Sequence, residues 1–181
     1  MARYARDGKL VRRFLQSETE RKANKARLFN LFTQLKQSMP HLTLASDQLY
    51  REIDIAIDIC EDVPALPDSE VERIVAAYIQ AGAQSKVSSI HINSWFGNHD
   101  KFTTCDLLLK ERYGASFADE PGAMVYLGDS PNDEPLFEKF PLSIGVANIE
   151  RYLEKLHFKP AFITRKEGGL GFAEAIKLII S

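Results

Sequence analysis

The last third of the chain alternates between short apolar runs and helical patterns, and this alternation constrains the fold more than any other feature. Residues 124–127 form an apolar run, which predicts a strand buried on both faces, and residues 136–140 follow with helical spacing. Two further runs, 142–146 and 161–163, predict short strands, and residues 172–180 predict a final amphipathic helix. Strands that alternate with helices are typical of a parallel α/β sheet.

An earlier segment has a period of two instead. Its alternating apolar residues are Ile53, Ile55, Ile57 and Ile59. This spacing predicts a half-buried strand, and residues 87–93 predict a second one. Helical spacing flanks the two strands at residues 28–39 and 71–79, and residues 69–72 fit a capping box for the second helix. An α+β layer is therefore predicted, with helices on one face of a sheet and polar groups on the other.

Composition and charge exclude several classes of protein. The 181 residues are 45% hydrophobic and 27% charged, as in an ordinary globular protein, and the net charge of -2 shows no basic excess for nucleic acid. No apolar run reaches the roughly 18 residues that a membrane-spanning helix needs, and the first residues do not resemble a secretory signal. We therefore expect a cytoplasmic protein that binds neither membrane nor nucleic acid, with Cys60 and Cys105 as free thiols.

A polar motif, Gly128-Asp129-Ser130-Pro131-Asn132-Asp133, follows the first apolar run of the α/β region directly. Ligands of open parallel sheets sit beyond the carboxyl ends of the strands. Asp129 and Asp133 are four residues apart across a turn into a helix, so their carboxylates can converge, and hard oxygen ligands of this kind suit Mg²⁺. In the alternative interpretation, Asp129 or Asn132 caps the helix and Asp133 complements its dipole.

Lys101 is a second candidate for chemistry. It lies where a loop leads into a predicted helix, residues 101–113, which Gly114 ends. A lysine in this place can neutralise a phosphoryl group as a point charge, whereas the alternative interpretation is an ordinary surface lysine.

Together these features resemble the haloacid dehalogenase superfamily of Mg²⁺-dependent phosphatases. The most similar branch has a large α+β cap and includes the sucrose-phosphate, mannosyl-3-phosphoglycerate and Cof-like sugar phosphatases. Residues 128–133 resemble the fourth motif of the family, G-D-x-x-N-D, and Lys101 resembles the lysine of its third motif. Residues 168–174 resemble the C-terminal segment of the branch. The resemblance covers most of the chain and implies a partial haloacid-dehalogenase-like Rossmannoid parallel sheet plus an α+β cap.

The same resemblance assigns roles to four residues. It implies that Asp129 ligates Mg²⁺ and that Asp133 supports the metal site. It also implies that Asn132 holds the phosphate or Lys101. Lys101 would be the catalytic and phosphate-binding lysine, which stabilises charge on the nucleophile and on the phosphoryl group.

One departure from the family pattern matters for activity. The family uses a D-x-D-x-T motif, whose first Asp is the nucleophile and whose second is the general acid and base. The spacing from Asp54 to Asp58 does not fit this motif, and no hydrophobic strand precedes Asp7. We therefore expect a truncated phosphatase of this family that is inactive alone. The alternatives are a non-catalytic binding or oligomerisation module that kept the fold, and one part of a complemented enzyme.

This interpretation divides the chain into three regions. Residues 1–11 are expected to be a residual core hairpin that turns at Gly8, residues 12–93 the cap, and residues 94–181 the C-terminal half of the catalytic core. The strand at residues 124–127 would then have an unpaired edge, which is an association liability. A homodimer through this sheet edge is one expected way to cover it.

The cap provides an expectation about the substrate. Its polar sheet face is predicted to carry Asp54, Asp58, His91 and Asn93. Carboxylates and amides hydrogen-bond well to sugar hydroxyls, so we expect a phosphorylated sugar or a glycerate-type metabolite as the substrate. The alternative interpretation is a solvated sheet face without a ligand.

Overall fold

The computed structural model describes residues 2–6, 9–119 and 121–180. The chain divides into two compact units, Met1–Asn98 and His99–Ser181. No helix in the described part of the chain is both long and apolar enough to cross a bilayer. Cys60 and Cys105 are exposed free thiols, as predicted.

The first unit begins with a hairpin. Strand β1 (Ala2–Arg6) pairs antiparallel with β2 (Lys9–Arg13), which confirms the predicted hairpin. Its expected turn at Gly8 lies outside the described residues.

A long helix, α1 (Glu18–Ser38), follows the hairpin. Ser17 caps its N-terminus, because the Ser17 hydroxyl accepts from the Glu20 N–H and the Glu20 carboxylate accepts from the Ser17 N–H at 2.8 Å. Leu28, Phe32 and Leu35 form the buried side, as their spacing predicts. The sequence therefore located the apolar face of this helix but not its first three turns.

Four antiparallel strands form the sheet of the first unit. They are β3 (Thr43–Leu44), β4 (Asp54–Asp58), β5 (Gln84–Val87) and β6 (His91–Trp95), in the order β3-β4-β6-β5. The single strand predicted at residues 87–93 is therefore wrong. Ser88 N–H donates to the His91 carbonyl at 2.8 Å, and the Ser88 hydroxyl also accepts from the His91 N–H, so the chain turns back inside that range.

The apolar face of this sheet packs against α1 and a second helix, α2 (Asp68–Gln80). The core side chains include Leu28, Ile55, Ile57, Ile74, Tyr78 and Ile92, which are all fully buried. The predicted capping box at residues 69–72 is wrong, because Pro67 is the N-cap and Ser69 already lies inside the first turn. Both helices therefore lie on one face of the sheet, as predicted.

Two side chains connect α1 and its preceding segment to Phe96, which follows β6. Gln16 Nε2 donates to the Phe96 carbonyl at 2.9 Å, and the Arg27 guanidinium lies 3.7 Å from the centre of the Phe96 ring. The segment that leads into α1 and the segment that follows β6 therefore meet at Phe96.

The second unit is a parallel α/β structure. Its elements are α3 (Lys101–Tyr113), β7 (Val125–Gly128), α4 (Glu134–Lys139), β8 (Leu142–Gly145), β9 (Phe162–Ile163) and α5 (Gly168–Ile179). The three strands are parallel and lie in the order β7-β8-β9, which confirms the predicted sheet. Gly114 ends α3 in the left-handed conformation with φ of 66°.

Two details of this unit differ from the sequence predictions. Val125, Tyr126 and Leu127 are only half-buried, because β8 is the one described strand that pairs with β7. Helix α5 begins at Gly168, four residues before the predicted start. Glycine is a poor helix former, so the apolar pattern alone could not indicate a first turn made of glycines.

Aromatic rings fill the core between β7 and the helices α3 and α4. Phe117 lies 5.2 Å from Phe102 and 4.4 Å from Phe140, measured between ring centres. Tyr126 of β7 packs against Phe140 at 5.5 Å and against Phe137 at 5.9 Å. This cluster holds the carboxyl end of β7 next to the first turn of α3.

Candidate functional site

The polar motif predicted from the sequence forms a tight turn at the carboxyl end of β7. Gly128 ends the strand, a 3-10 turn covers Pro131–Asp133, and α4 begins at Glu134. A Cβ atom at Gly128 would lie 2.7 Å from the Asp133 side chain. Glycine is therefore required here so that the Asp133 carboxylate can fold back against the strand.

Asp133 is buried and holds this turn together. Its Oδ2 accepts hydrogen bonds from the N–H of Asp129 at 2.9 Å and of Ser130 at 3.2 Å. Its Oδ1 accepts from the Tyr126 hydroxyl at 2.6 Å. Burial, and then the Asp133 charge, raises the pKa of Tyr126 well above its usual range, so Tyr126 stays a hydrogen-bond donor.

Lys101 reaches the same turn from the start of α3. Asp100 caps this helix by accepting from the Thr103 N–H at 2.7 Å. Lys101 Nζ donates to Asn132 Oδ1 at 2.9 Å and to Asp133 Oδ1. The Lys101 side chain remains 51% exposed while that of Asp133 is 3% exposed. A buried anion thus fixes an ammonium group that solvent, or an anionic ligand, can still reach.

Asp129 has a different environment from Asp133. It is partly exposed, and no hydrogen bond to its carboxylate is found among the described residues. In the same part of the chain, no group of three or more His, Cys, Asp and Glu side chains could hold a metal ion. A partly exposed carboxylate such as this could supply one oxygen ligand to a cation of the Mg²⁺ type, which commonly keeps several water ligands.

The structure thus brings together Lys101, Asn132 and Asp133, with Asp129 on the same turn. Tyr126 and Ser130 also belong to this site, although the sequence indicated no role for either of them. The Ser130 hydroxyl donates to Asn132 Oδ1 at 3.0 Å, which orients the amide. Tyr126 could have been identified from the sequence, because it places a phenol in an otherwise apolar strand. A buried hydroxyl needs a polar partner, so a polar group was to be expected next to it.

The four polar residues predicted on the cap sheet lie on one face. The register pairs Asp58 with His91 and Ala56 with Asn93, and directly opposite residues of an antiparallel pair share a face. Asp54 lies on the same face, two residues before Ala56 along β4.

Arg51 connects two of these residues. Its guanidinium donates to Asp54 Oδ2 at 2.7 Å and to Asn93 Oδ1 at 3.1 Å, and its Nε donates to Asp47 Oδ1 at 2.7 Å. Asp54 and Asn93 are therefore held in a network with one cation at its centre.

His91 and Asp58 bind the loop that follows β4. His91 Nε2 lies 2.8 Å from Glu61 Oε2. Asp58 accepts from the N–H groups of Cys60, Glu61 and Asp62 at 2.8 to 3.0 Å. Asp58 is 1% exposed and His91 is 7% exposed, so this end of the face is ordered by internal contacts and is not solvated.

The Asp58 contacts predict a pH-dependent contribution to stability. Burial alone would raise the pKa of Asp58, but its three N–H donors outweigh burial and lower the pKa below its ordinary value. The stabilisation is present above the unfolded-state pKa of about 3.9 and is lost as the pH falls through the lower folded-state pKa. Asp58→Ala should therefore cost about 2–3 kcal/mol at pH 7, and the difference from the wild type should shrink below about pH 4.

Urea unfolding followed by the fluorescence of Trp95, the one tryptophan of the chain, measures this difference. Asp62→Ala is the matched control, because Asp62 contributes its backbone N–H to Asp58 and the variant keeps that donor. A difference between Asp58→Ala and the wild type that is the same at pH 7 and at pH 3 would contradict the assignment.

Comparison with known proteins gives similarity at the level of structure. No protein-family model and no curated protein matches the chain. A Thermoplasma acidophilum protein has 18% sequence identity and a TM-score of 0.56 over 83% of this chain and 61% of its own. The sucrose-phosphatase of Synechocystis, solved with sucrose and phosphate, has 18% identity and a TM-score of 0.56 over 86% of this chain and 65% of its own. A trehalose-6-phosphate phosphatase related protein has 13% identity and a TM-score of 0.53 over 97% of this chain and 69% of its own.

These similarities show a haloacid dehalogenase-like fold. The chain spans 61% and 65% of the length of the first two neighbours, less than two thirds. At identities of 13% to 18%, the similarity is to the fold and carries no residue roles.

Proposed function

We propose that this chain belongs to a Mg²⁺-dependent phosphatase of the large-cap haloacid dehalogenase branch, which hydrolyses a phosphorylated sugar or a glycerate-type metabolite. The observation that supports this most is the position of Lys101 Nζ, which Asn132 and Asp133 hold at the carboxyl end of β7. The adjacent carboxylate of Asp129 is left for a cation. A fixed ammonium next to a cation-binding carboxylate is an arrangement that suits a phosphoryl group.

Each residue of this site has a proposed role. Lys101 binds a phosphate oxygen, and the Asn132 amide, oriented by Ser130, can donate a second hydrogen bond to phosphate. Asp129 would hold Mg²⁺, which supplies neutralisation of charge on the transferring phosphoryl group. Asp133 would support the metal site indirectly, because its two oxygens already bind the Asp129 N–H, Tyr126 and Lys101.

In this proposal, these 181 residues bind phosphate but do not hydrolyse a phosphate ester by themselves. The 181 residues contain no D-x-D-x-T motif, and neither Asp129 nor Lys101 can replace a carboxylate nucleophile while holding the cation and the phosphate. Turnover would then need a carboxylate that these 181 residues do not supply.

The cap face extends the proposal to the substrate. Asp54, Asn93 and Arg51 present oxygen acceptors and guanidinium donors together, which matches the alternating donors and acceptors of sugar hydroxyls. His91 would contribute its ring, whereas Asp58 has its carboxylate engaged with backbone N–H groups. We place the protein in the cytoplasm, where thiols such as Cys60 and Cys105 stay reduced.

Titration of the 181-residue protein with inorganic phosphate, with and without Mg²⁺, tests the site by calorimetry. Phosphate should bind more tightly with Mg²⁺ present. Lys101→Ala should weaken binding about 30-fold, because a hydrogen bond to a charged group contributes about 2 kcal/mol. Asp129→Asn should remove the effect of Mg²⁺. Lys110→Ala, which removes a lysine paired with Asp106 elsewhere on α3, is the matched control and should bind as the wild type does.

Two results would contradict the proposal. Equal phosphate affinity in Lys101→Ala and Lys110→Ala would remove the phosphate site and leave the non-catalytic oligomerisation module as the better function. Mg²⁺-dependent hydrolysis of p-nitrophenyl phosphate by the wild type, lost in Asp129→Asn, would leave the site in place and overturn binding without turnover.

A further inference from the structure

The Tyr126 hydroxyl is a polar group inside an aromatic core. Its ring packs against Phe140 at 5.5 Å and against Phe137 at 5.9 Å, measured between ring centres. A phenylalanine would fill the same space without a hydroxyl to withdraw from water, and that withdrawal disfavours folding unless a hydrogen bond compensates it. The hydroxyl makes this bond to Asp133 Oδ1 at 2.6 Å. Packing therefore explains the ring, and the hydroxyl needs a separate explanation.

The two carboxylate oxygens of Asp133 receive donors from different parts of the second unit. Oδ2 accepts from the N–H groups of Asp129 and Ser130, which lie in the turn itself. Oδ1 accepts from the Tyr126 hydroxyl on β7 and from Lys101 Nζ on α3. Tyr126 and Lys101 therefore donate to the same atom, so a change in one donor alters the charge that the other one meets.

Of these two donors, Tyr126 is fixed and Lys101 can turn towards solvent. The Phe140 ring lies 5.5 Å from that of Tyr126 and 6.3 Å from that of Phe102, which directly follows Lys101 in the chain. Burial, and then the Asp133 charge, keeps the pKa of Tyr126 far above its usual range, so its hydroxyl retains the proton that it donates. The Lys101 side chain, by contrast, is 51% exposed.

We propose that Tyr126 is a positioning residue for Lys101: by donating to the oxygen that Lys101 also binds, it weakens the hold of Asp133 on Lys101 Nζ and leaves the ammonium charge available to phosphate. A carboxylate oxygen that two donors share attracts each of them less than it would attract one alone, because each donor offsets part of its negative charge. The same sharing lowers the repulsion between Asp133 and a bound phosphate. The inference rests on the proposed function and adds a residue that acts through Asp133.

A purely structural role of the hydroxyl would have the opposite consequence. If the hydroxyl only held the turn in place, its loss would loosen Asp133 and release Lys101. If the hydroxyl competes with Lys101 for Oδ1, its loss lets Asp133 hold Lys101 more tightly. The two roles therefore differ in the sign of the change at Lys101.

Acetylation of the 181-residue protein, followed by mass spectrometry of its peptides, measures this sign. An acylating reagent reacts with a lysine when Nζ has left its acceptors and lost a proton. Lys110 is the internal reference, since it is also paired with a carboxylate on α3 and is similarly exposed, at 58%. Tyr126→Phe should slow the reaction of Lys101 relative to Lys110 about threefold. Replacing Tyr126 with 3-fluorotyrosine, a more acidic phenol and stronger donor, should speed it.

Thr164→Val is the matched control for stability. The Thr164 hydroxyl is a buried group of the second unit that accepts from the Ala147 N–H at 3.1 Å, so its removal also costs one internal hydrogen bond. The variant should leave the labelling ratio of Lys101 to Lys110 unchanged. Circular dichroism should show all variants folded. Unchanged or faster labelling of Lys101 in Tyr126→Phe would overturn the inference.

Calorimetric titration with inorganic phosphate tests the consequence for the ligand. Tyr126→Phe should weaken phosphate binding about fivefold, whereas Thr164→Val should bind as the wild type does. In the Lys101→Ala background, Tyr126→Phe should change the affinity by less than about twofold, because its effect passes through Lys101.

The outcomes separate this inference from the proposed function. Wild-type affinity in Tyr126→Phe, or a loss of the same size with and without Lys101, would overturn the inference and leave the phosphate site in place. A wild type that binds no phosphate would overturn the proposed function and the effect of Tyr126 on the ligand. The labelling ratio would still decide whether Tyr126 positions Lys101.

Discussion

Replacing Asp133 with alanine is expected to lower the free energy of unfolding of the second unit by about 3–5 kcal/mol. The substitution removes the acceptor for two backbone N–H groups, the Tyr126 hydroxyl and the Lys101 ammonium. Asp133 is 2% exposed, so water cannot easily replace the lost carboxylate. The cost is therefore the desolvation of several donors at once, and not the loss of a single hydrogen bond.

Hydrogen exchange measured on peptides from residues 99–180 reports this loss for the second unit alone. Glu138→Ala is the control, because among the residues that the structure describes Glu138 pairs with its neighbour Lys139 alone, and the variant should change stability by less than about 0.5 kcal/mol. Tyr126→Phe removes one donor together with its partner bond and should cost less, about 1 kcal/mol. Exchange rates in Asp133→Ala that match those of Glu138→Ala would show that the carboxylate does not organise the turn.

Gly171→Ala should be nearly as damaging, at about 3 kcal/mol, which is the upper range for overpacking of a tight contact. A Cβ atom at this position would lie 2.1 Å from the Lys166 carbonyl oxygen, 2.6 Å from Val146 Cγ1 and 2.7 Å from Thr164 Oγ1. The closest of these atoms belongs to the backbone, so no side-chain rotation can relieve the clash. The first turn of α5 must therefore move away from β8 and β9.

Gly169→Ala provides the matched comparison within the same turn. A Cβ atom at Gly169 would meet nothing within 4 Å, so the substitution should be neutral or stabilising by up to about 1 kcal/mol through helix propensity. Thermal unfolding by circular dichroism separates the two variants. Equal melting temperatures for Gly171→Ala and Gly169→Ala would mean that α5 does not pack closely at Gly171.

The sequence predicted those elements of the second unit in which the spacing of apolar residues agrees with the residues that begin and end the element. Helix α3 begins at Lys101 and ends before Gly114 as predicted, because a capping aspartate and a glycine mark its two ends. The motif at residues 128–133 lies at the end of a parallel strand, as predicted, and Lys101 reaches it. The spacing of the apolar residues and the position of the motif after a strand were sufficient to predict these elements.

Other features depend on contacts that no local pattern contains. The strand expected at residues 87–93 is two strands, since a serine hydroxyl at Ser88 competes with the ladder for backbone groups. The half-buried state of β7 depends on the number of neighbouring strands, which the composition of the strand does not specify. Likewise, Arg51 joins Asp54 and Asn93 although 42 residues separate it from the latter.

The hydrogen bond between Gln16 and Phe96 bears on where new chain termini could be introduced in the first unit. The part of this unit that follows the hairpin begins and ends at neighbouring points, where Gln16 Nε2 and the Phe96 carbonyl are 2.9 Å apart. A unit whose ends adjoin tolerates new termini in an exposed loop, because a short bridge between the old ends does not stretch the backbone. The exposed residues 60–62 after β4 offer such an opening, although Asp58 binds the N–H groups of this loop and would then lose part of its support.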